Sequence, residues 1–257
     1  MSGVVVAFVD ESPAASPVLA MASVLGRVLD ASVRATHVGN ESGSTLASVA
    51  EAAGIPLETI PGDPTRLIVA RLADPDVRAA VIGSRRHPVG PRPVGHIAFE
   101  VITEVDTLVA VVPPDAKIPA PGALDRILVP LDGTEKGATA VVQMCDTFAE
   151  RGVEIIVVHV FDEETTPRFW EHPQYDREAF GEAFLARFMG DVEARFTLRT
   201  GPPQHGVVSA AETEEVDLIA LGWSRSLDPG RAEVVRRVLS ETPIPVLLVP
   251  VDGRLNR

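Results

Sequence analysis

The chain repeats itself, and the repeat limits what it can fold into more than any other feature. Val4-Val5-Val6-Ala7-Phe8-Val9-Asp10 is an apolar run that ends on an acid, and the figure returns as Ile127-Leu128-Val129-Pro130-Leu131-Asp132. Asp10 and Asp132 are 122 residues apart, and the same offset separates His37-Val38 from His159-Val160, each pair closing a further apolar run. Later landmarks pair at 139: Gly62-Asp63-Pro64 with Gly201-Pro202-Pro203, and Val81-Ile82-Gly83 with Ala220-Leu221-Gly222. The closing runs, Val109 to Pro113 and Val246 to Pro250, sit 137 apart. Two copies therefore follow one plan, the second with about 17 extra residues between Val160 and Arg195.

Four prolines within Pro113-Pro114-Asp115-Ala116-Lys117-Ile118-Pro119-Ala120-Pro121-Gly122 forbid a helix there and favour an extended linker. The expected division is a first domain over 1–114, a linker over 115–122, and a second domain over 123–257 with an insertion near 161–180. In the first copy, strands fit Val4–Val9, Ser32–Val38, Leu57–Ile60, Ala79–Gly83 and Thr107–Val112, with helices at Ala14–Leu29, Ser44–Ala53, Pro64–Leu72 and Val94–Thr103. The second copy reads likewise, with strands at Arg126–Pro130, Glu154–Val160, Ala194–Leu198, Leu218–Gly222 and Val246–Pro250. Pro64 and Pro203 suit the first turn of a helix, where no backbone N–H is required. Strands so continuously apolar belong to parallel sheets covered by helices on both faces. The fold class is α/β, with two doubly wound open sheets.

Composition narrows the function. Lys and Arg number 23 against 36 Asp and Glu, a formal charge of −13. Such a surface repels phosphate backbones and anionic lipid, so neither nucleic acid nor membrane is an expected partner. The one cysteine, Cys145, allows no internal disulfide and no cysteine-based zinc cluster. No apolar run approaches the length of a membrane span, and the run Val4 to Val9 is too short for a signal peptide. A cytoplasmic location is expected.

In a doubly wound sheet, ligands bind beyond the carboxyl ends of the strands, where the strand order reverses. The turns there read Asp10-Glu11-Ser12 and Asp132-Gly133-Thr134 after the first strand of each copy. After the fourth come Gly83-Ser84-Arg85-Arg86-His87 and Gly222-Trp223-Ser224-Arg225.

Arg126-Ile127-Leu128-Val129-Pro130-Leu131-Asp132-Gly133-Thr134 resembles the opening strand of the universal stress protein family. The family's far end is matched by Ile219-Ala220-Leu221-Gly222 and by Thr242-Pro243-Ile244-Pro245-Val246-Leu247-Leu248-Val249-Pro250. Gly83-Ser84-Arg85 with Val94-Gly95-His96-Ile97-Ala98 is similar to the family's glycine loop and following helix. The resemblance implies a five-stranded parallel sheet per copy, ordered 3-2-1-4-5. It also implies that the copies pair as a dimer does, making the chain an intramolecular pseudo-dimer through Thr107–Val112 and Val246–Pro250. Further homo-oligomers stay open.

Nucleotide-binding members of the family carry a glycine, two residues, a second glycine, nine residues, then Gly-Ser or Gly-Thr. Glycines there let backbone N–H groups approach phosphate. This chain departs from the pattern in both copies. The first keeps Gly83 but has Arg86 at the second-glycine place, eight residues before Gly95, and His96 replaces the hydroxyl residue. The second keeps Gly222 and has Gly230, but Arg225 stands at the second-glycine place and no Gly-Ser follows.

The resemblance thus implies a stress-response binding or adaptor module, no enzyme, with nucleotide binding weakened or lost and a protein partner that the sequence does not name. The rival is an adenine-nucleotide-binding protein with slow ATP hydrolysis. Weakly bound ATP or another adenine nucleotide is the cofactor to expect. Its site would use Asp132, Gly133, Thr134, Val160, Gly222 and Gly230 in the second copy, and Asp10, Gly83, Gly95, Arg85 and Arg86 in the first. Against a role for Asp10 and Asp132 stands their ordinary use as turn acids that bond their own backbone. Glu11 stands where the second copy has Gly133, placing charge and bulk where an anion would approach, so the second copy is favoured for adenosine. Arg85, Arg86 and Arg92 lie in a loop without an acid and would at most gather phosphate, whereas the arginines from Arg225 to Arg237 are expected to pair with nearby acids. His37 and His159 close matched strands, where they would line a cleft or merely cap the strand end. No catalytic constellation, no metal-ligand spacing and no nucleophile turn is present in the sequence. The insertion, with Phe169-Trp170 and Tyr175, would cover the cleft mouth, cross to the first copy, or tuck its aromatics against its own domain.

Overall fold

Apolar runs buried on both faces alternate with half-buried helical segments, and strand and helix follow in strict turn within each half. The structure, a computed structural model, describes residues 3–84, 93–162, 174–226 and 232–251, with the main chain alone for 174–176. The first half runs β1 (Val4–Phe8), α1 (Ala15–Val28), β2 (Ser32–Val38), α2 (Ser44–Ala52), β3 (Leu57–Ile60), α3 (Pro64–Leu72), β4 (Val77–Gly83), α4 (His96–Glu104) and β5 (Leu108–Val112). The second runs β6 (Arg126–Pro130), α5 (Glu135–Ala149), β7 (Glu154–Phe161), α6 (Gln174–Phe188), β8 (Arg195–Thr200), α7 (Pro203–Thr213), β9 (Leu218–Trp223), α8 (Glu233–Glu241) and β10 (Val246–Pro250). Pro64 and Pro203 both open their helices, and Asp63 caps α3 by accepting the Arg66 N–H at 2.9 Å.

All ten strands form one sheet, ordered β3-β2-β1-β4-β5-β10-β9-β6-β7-β8. Each half keeps the 3-2-1-4-5 order with parallel pairing, and the halves join edge to edge through β5 and β10, which run antiparallel with Val246 opposite Val111 and Leu248 opposite Val109. Joining these edges leaves neither apolar edge strand exposed. Side chains alternate across the pleat: Val5 and Ala7 meet one core, with α1, α2, α5 and α6, while Val4, Val6 and Phe8 meet the other, with α3, α4, α7 and α8. Because β5 and β10 are antiparallel, the carboxyl ends of the two sets of strands point to opposite edges of the sheet.

Two expectations need revision, and the linker is packed down onto the sheet's helices. It turns at Pro113–Ala116, where the Ala116 N–H donates to the Pro113 carbonyl at 3.1 Å, and Ala116 and Ile118 pack against the core. Arg27 of α1 donates to the Pro121 carbonyl at 3.2 Å. The insertion is helical from Gln174 onward, because α6 extends through the place where the first half has the shorter α2. Its segment 163–173 lies outside the described residues. Finally, α4 starts at His96, two residues later than the expected Val94, because Gly95 is extended and forms the N-cap.

Candidate functional site

A cavity opens at the carboxyl ends of the strands in each half, about 700 Å³ in the first and about 660 Å³ in the second. Asp10, Gly83 and Gly95 line the first, between the end of β1, the end of β4 and the start of α4. Asp132, Gly133, Val160 and Gly222 line the second. Thr134 stands apart from that wall and caps α5, its hydroxyl accepting the Gly137 N–H at 3.2 Å. Arg85, Arg86, Arg92 and Gly230 lie outside the described residues.

The leading turns differ in build. Asp132 Oδ1 accepts from the Thr134 N–H at 2.9 Å and from its hydroxyl at 2.7 Å, and Gly133 takes the left-handed φ of +79° that a glycine adopts without strain. Asp10 Oδ1 accepts the Ser12 N–H at 3.0 Å. Both acids thus serve their own turns, each with its other oxygen lacking a partner among the described residues. Glu11 corrects the expectation made for it. Its Oε1 accepts the Gly43 N–H at 2.6 Å, so its charge sits on the N-terminus of α2 and off the cleft wall.

The paired histidines bond in the same way. His37 Nδ1 donates to the Val9 carbonyl at 2.9 Å and His159 Nδ1 to the Leu131 carbonyl at 2.7 Å; a carbonyl only accepts, so the proton is on Nδ1. Both therefore tie the end of the second strand to the turn after the first. His159 also lines its cleft, and His37 does not.

The turns after the fourth strands diverge most. Ser84 is buried in the first cleft, its N–H donating to the Val112 carbonyl at 2.8 Å. Its counterpart, Trp223, is 2% exposed and donates from Nε1 to the Ile102 carbonyl of α4 at 2.7 Å. Two residues on, Arg225 has a left-handed φ of +61° and an ion pair with Asp106. Ile102 and Asp106 both belong to the first half, so this second-half turn is held by its neighbour. Arg237 pairs along α8 with Glu241 at 2.8 Å, whereas Arg225 departs from the expected self-pairing of that run by reaching Asp106; Asp228 and Arg231 lie outside the described residues.

One feature escaped the sequence reading. Phe180, Phe184 and Phe188 recur every four residues along α6 and, with Phe161, wall the second cleft. Ring centroids lie 5.4 Å apart for Phe161–Phe180, 5.8 Å for Phe180–Phe184 and 4.6 Å for Phe184–Phe188. The i, i+4, i+8 spacing was the available signal. Phe161 and Phe180, the ends of the inserted segment, thus pack within their own half. Cys145 is buried in the core and its thiol is pushed up to about 12 by burial, which leaves it inert. Among the described residues no group of three metal-ligating side chains gathers, and no helix is long and apolar enough to cross a membrane.

Residues 123–250 match the model of the universal stress protein family. A solved universal stress protein from Archaeoglobus fulgidus is similar in fold along its whole length, at 17% identity, covering 98% of this chain and 99% of its own, with a TM-score of 0.69. A structure titled as a putative universal stress protein from Pseudomonas aeruginosa matches at 13% identity, covering 96% and 92%, with a TM-score of 0.66. A half-length universal stress protein solved in complex with cAMP covers 51% of this chain and 99% of its own at 24% identity, with a TM-score of 0.35. No curated protein matches. The chain belongs to the universal stress protein family through its second half, residues 123–250, and its first half repeats the same fold.

Proposed function

We propose that this tandem protein is a non-enzymatic, cytoplasmic binding or adaptor module of the stress response, with adenine-nucleotide binding reduced to a weak residual. Its domains would span 1–114 and 123–257 about the 115–122 linker, and its partner would be another protein. The observation that carries the reading is Arg225. It stands where nucleotide-binding relatives have a glycine, in the left-handed conformation a glycine prefers, with its side chain committed to Asp106. A side chain at that place keeps a phosphate from the close backbone approach that binding uses. The turn bonds of Asp10 and Asp132 agree with this, because each acid already has a structural duty. With Glu11 turned away from the first cleft, what still favours the second for a residual adenosine contact, at Asp132, Gly133, Val160 and Gly222, is that Gly133 has no side chain and leaves the backbone of its turn approachable.

Calorimetric titration of the intact chain with ATP tests the reading. The expected Kd is around or above ~100 μM, about −5.5 kcal/mol. Asp132→Asn should weaken that binding and Asp10→Asn should leave it nearly unchanged. Submicromolar binding would instead establish the rival, a nucleotide-binding protein with slow ATP hydrolysis.

A further inference from the structure

We propose that the second cleft binds a planar aromatic cation in preference to any phosphorylated ligand, an inference that rests on the weakened nucleotide binding argued above. Two properties of the wall carry it. The first is its aromatic content: Phe161, Phe180, Phe184 and Phe188 all line the 660 Å³ cavity. Aromatic faces present negative potential, which attracts flat rings and positive charge. The wall already holds one cation, since the Arg187 guanidinium carbon lies 4.9 Å from the Phe188 ring centroid.

The second property is the sign of the polar groups. Asp132 and Asp162 contribute two carboxylates, and Asp132 Oδ2 has no partner among the described residues. His159 donates through Nδ1 to Leu131, which leaves Nε2 an acceptor in the neutral ring. Arg187, the cation of the described wall, is joined to Glu135 with Nε and Nη2 each 3.0 Å from one carboxylate oxygen. Arg225, which could have faced a phosphate, is turned to Asp106. Among the described residues the wall is one of flat apolar rings, acceptors and net negative charge, which repels a phosphate and complements an ammonium group on an aromatic ring. The first cleft offers a contrast within the same molecule: among the described residues none of α2 reaches its wall, and Phe8 and His96 are the aromatic side chains that line it.

Three probes of matched shape separate charge from ring stacking: 1-naphthylmethylammonium, 1-naphthylmethanol and 1-naphthoate, each titrated calorimetrically into the intact chain. The cation should bind about tenfold more tightly than the anion, with the alcohol between them. Asp132→Asn keeps the oxygen that anchors the turn and should bring the cation down to the level of the alcohol. Phe180→Leu, at a half-buried position, should weaken cation and alcohol alike; thermal melts establish that both variants fold. Equal binding of cation and anion, no binding of any probe at millimolar concentration, or cation binding indifferent to both variants would overturn the proposal. ATP in the same series separates the two readings. Submicromolar ATP binding overturns the functional reading, whereas weak ATP binding with no preference for the cation overturns this inference alone.

Discussion

In the first half the turn after the leading strand carries Glu11, and in the second half it carries Gly133. That one difference redirects the surroundings of each cleft. Glu11 reaches the N-terminus of α2 and pins it, so α2 starts close to the turn and contributes nothing to the cavity wall. Gly133, with φ of +79° and no side chain, lets the turn lie close beside His159 and Phe184, each 3.7 Å from where a Cβ would stand, and the longer α6 lines the cavity edge with phenylalanines. The fourth-strand turns diverge in parallel. Ser84 faces its own cavity, while Trp223 and Arg225 are spent on the seam between the halves. A duplicated fold can thus keep its strand order while the fourth-strand turn of one copy turns into a fastening between the halves.

The seam offers the largest effect. Trp223→Ala removes a fully buried indole and its bond to Ile102, and it should cost about 3–5 kcal/mol in urea unfolding. Ser84→Ala, at the matched place, should cost less than about 1 kcal/mol, since its side chain holds no partner across the seam. Similar losses for the two would mean that the fourth-strand turns are equivalent after all.

Glycines at matched strand ends should separate next. A Cβ on Gly83 would stand 3.0 Å from Ala14 Cβ, which is fixed by the backbone at the start of α1. On Gly222 it would stand 3.6 Å from the Gly137 carbonyl, an ordinary contact. Gly83→Ala should therefore destabilise by about 1–2 kcal/mol and Gly222→Ala by less than about 0.5. Thermal melts of the two variants showing the reverse order would break the comparison.

Glu11→Gln sharpens the account of the first turn. It removes a charge from the N-terminus of α2 and should lower stability by about 0.5–1 kcal/mol at low salt, with the difference shrinking as salt is raised. A loss that ignores salt would point to packing instead.

The smallest effect concerns pH. Burial raises the pKa of the Glu214 carboxyl, but hydrogen bonds and charge from Arg195 and Arg199 outweigh it and hold the pKa below its ordinary 4.5. A carboxyl depressed by folding adds stability above its unfolded pKa, and that contribution fades as pH falls through the folded value. Acid titration of stability should show a loss of under ~1 kcal/mol below pH 4.5, absent in Glu214→Gln, because Arg195 is half exposed and screened. Among the described residues this network edges the second half. Where Arg126 pairs in register with Glu154, the first half has Val4 against Ser32.

Much of this was legible in the residues themselves. The continuous apolar run of Val4 to Phe8, the prolines opening α3 and α7, and the 122- and 139-residue offsets follow from local rules: burial of a strand on both faces, fixed proline geometry, and repetition of a plan. They suffice for two doubly wound α/β sheets, because apolar strands joined by helices admit few topologies, while the 3-2-1-4-5 order came only with the resemblance to the universal stress protein family. The edge pairing of β5 with β10 also follows, since two apolar edges in one chain need cover. What the residues alone left undecided is where side chains of similar type go. Glu11 as a cap for α2, Trp223 on the Ile102 carbonyl, Arg225 on Asp106, and the α6 phenylalanines around His159 each depend on a partner distant in sequence, 32 residues away for Glu11 and more than 100 for the seam. No local pattern names such a partner. Only the packed sheet, with its two halves locked antiparallel, brings those groups within bonding distance and so decides which residues of the two matched turns still line a cavity.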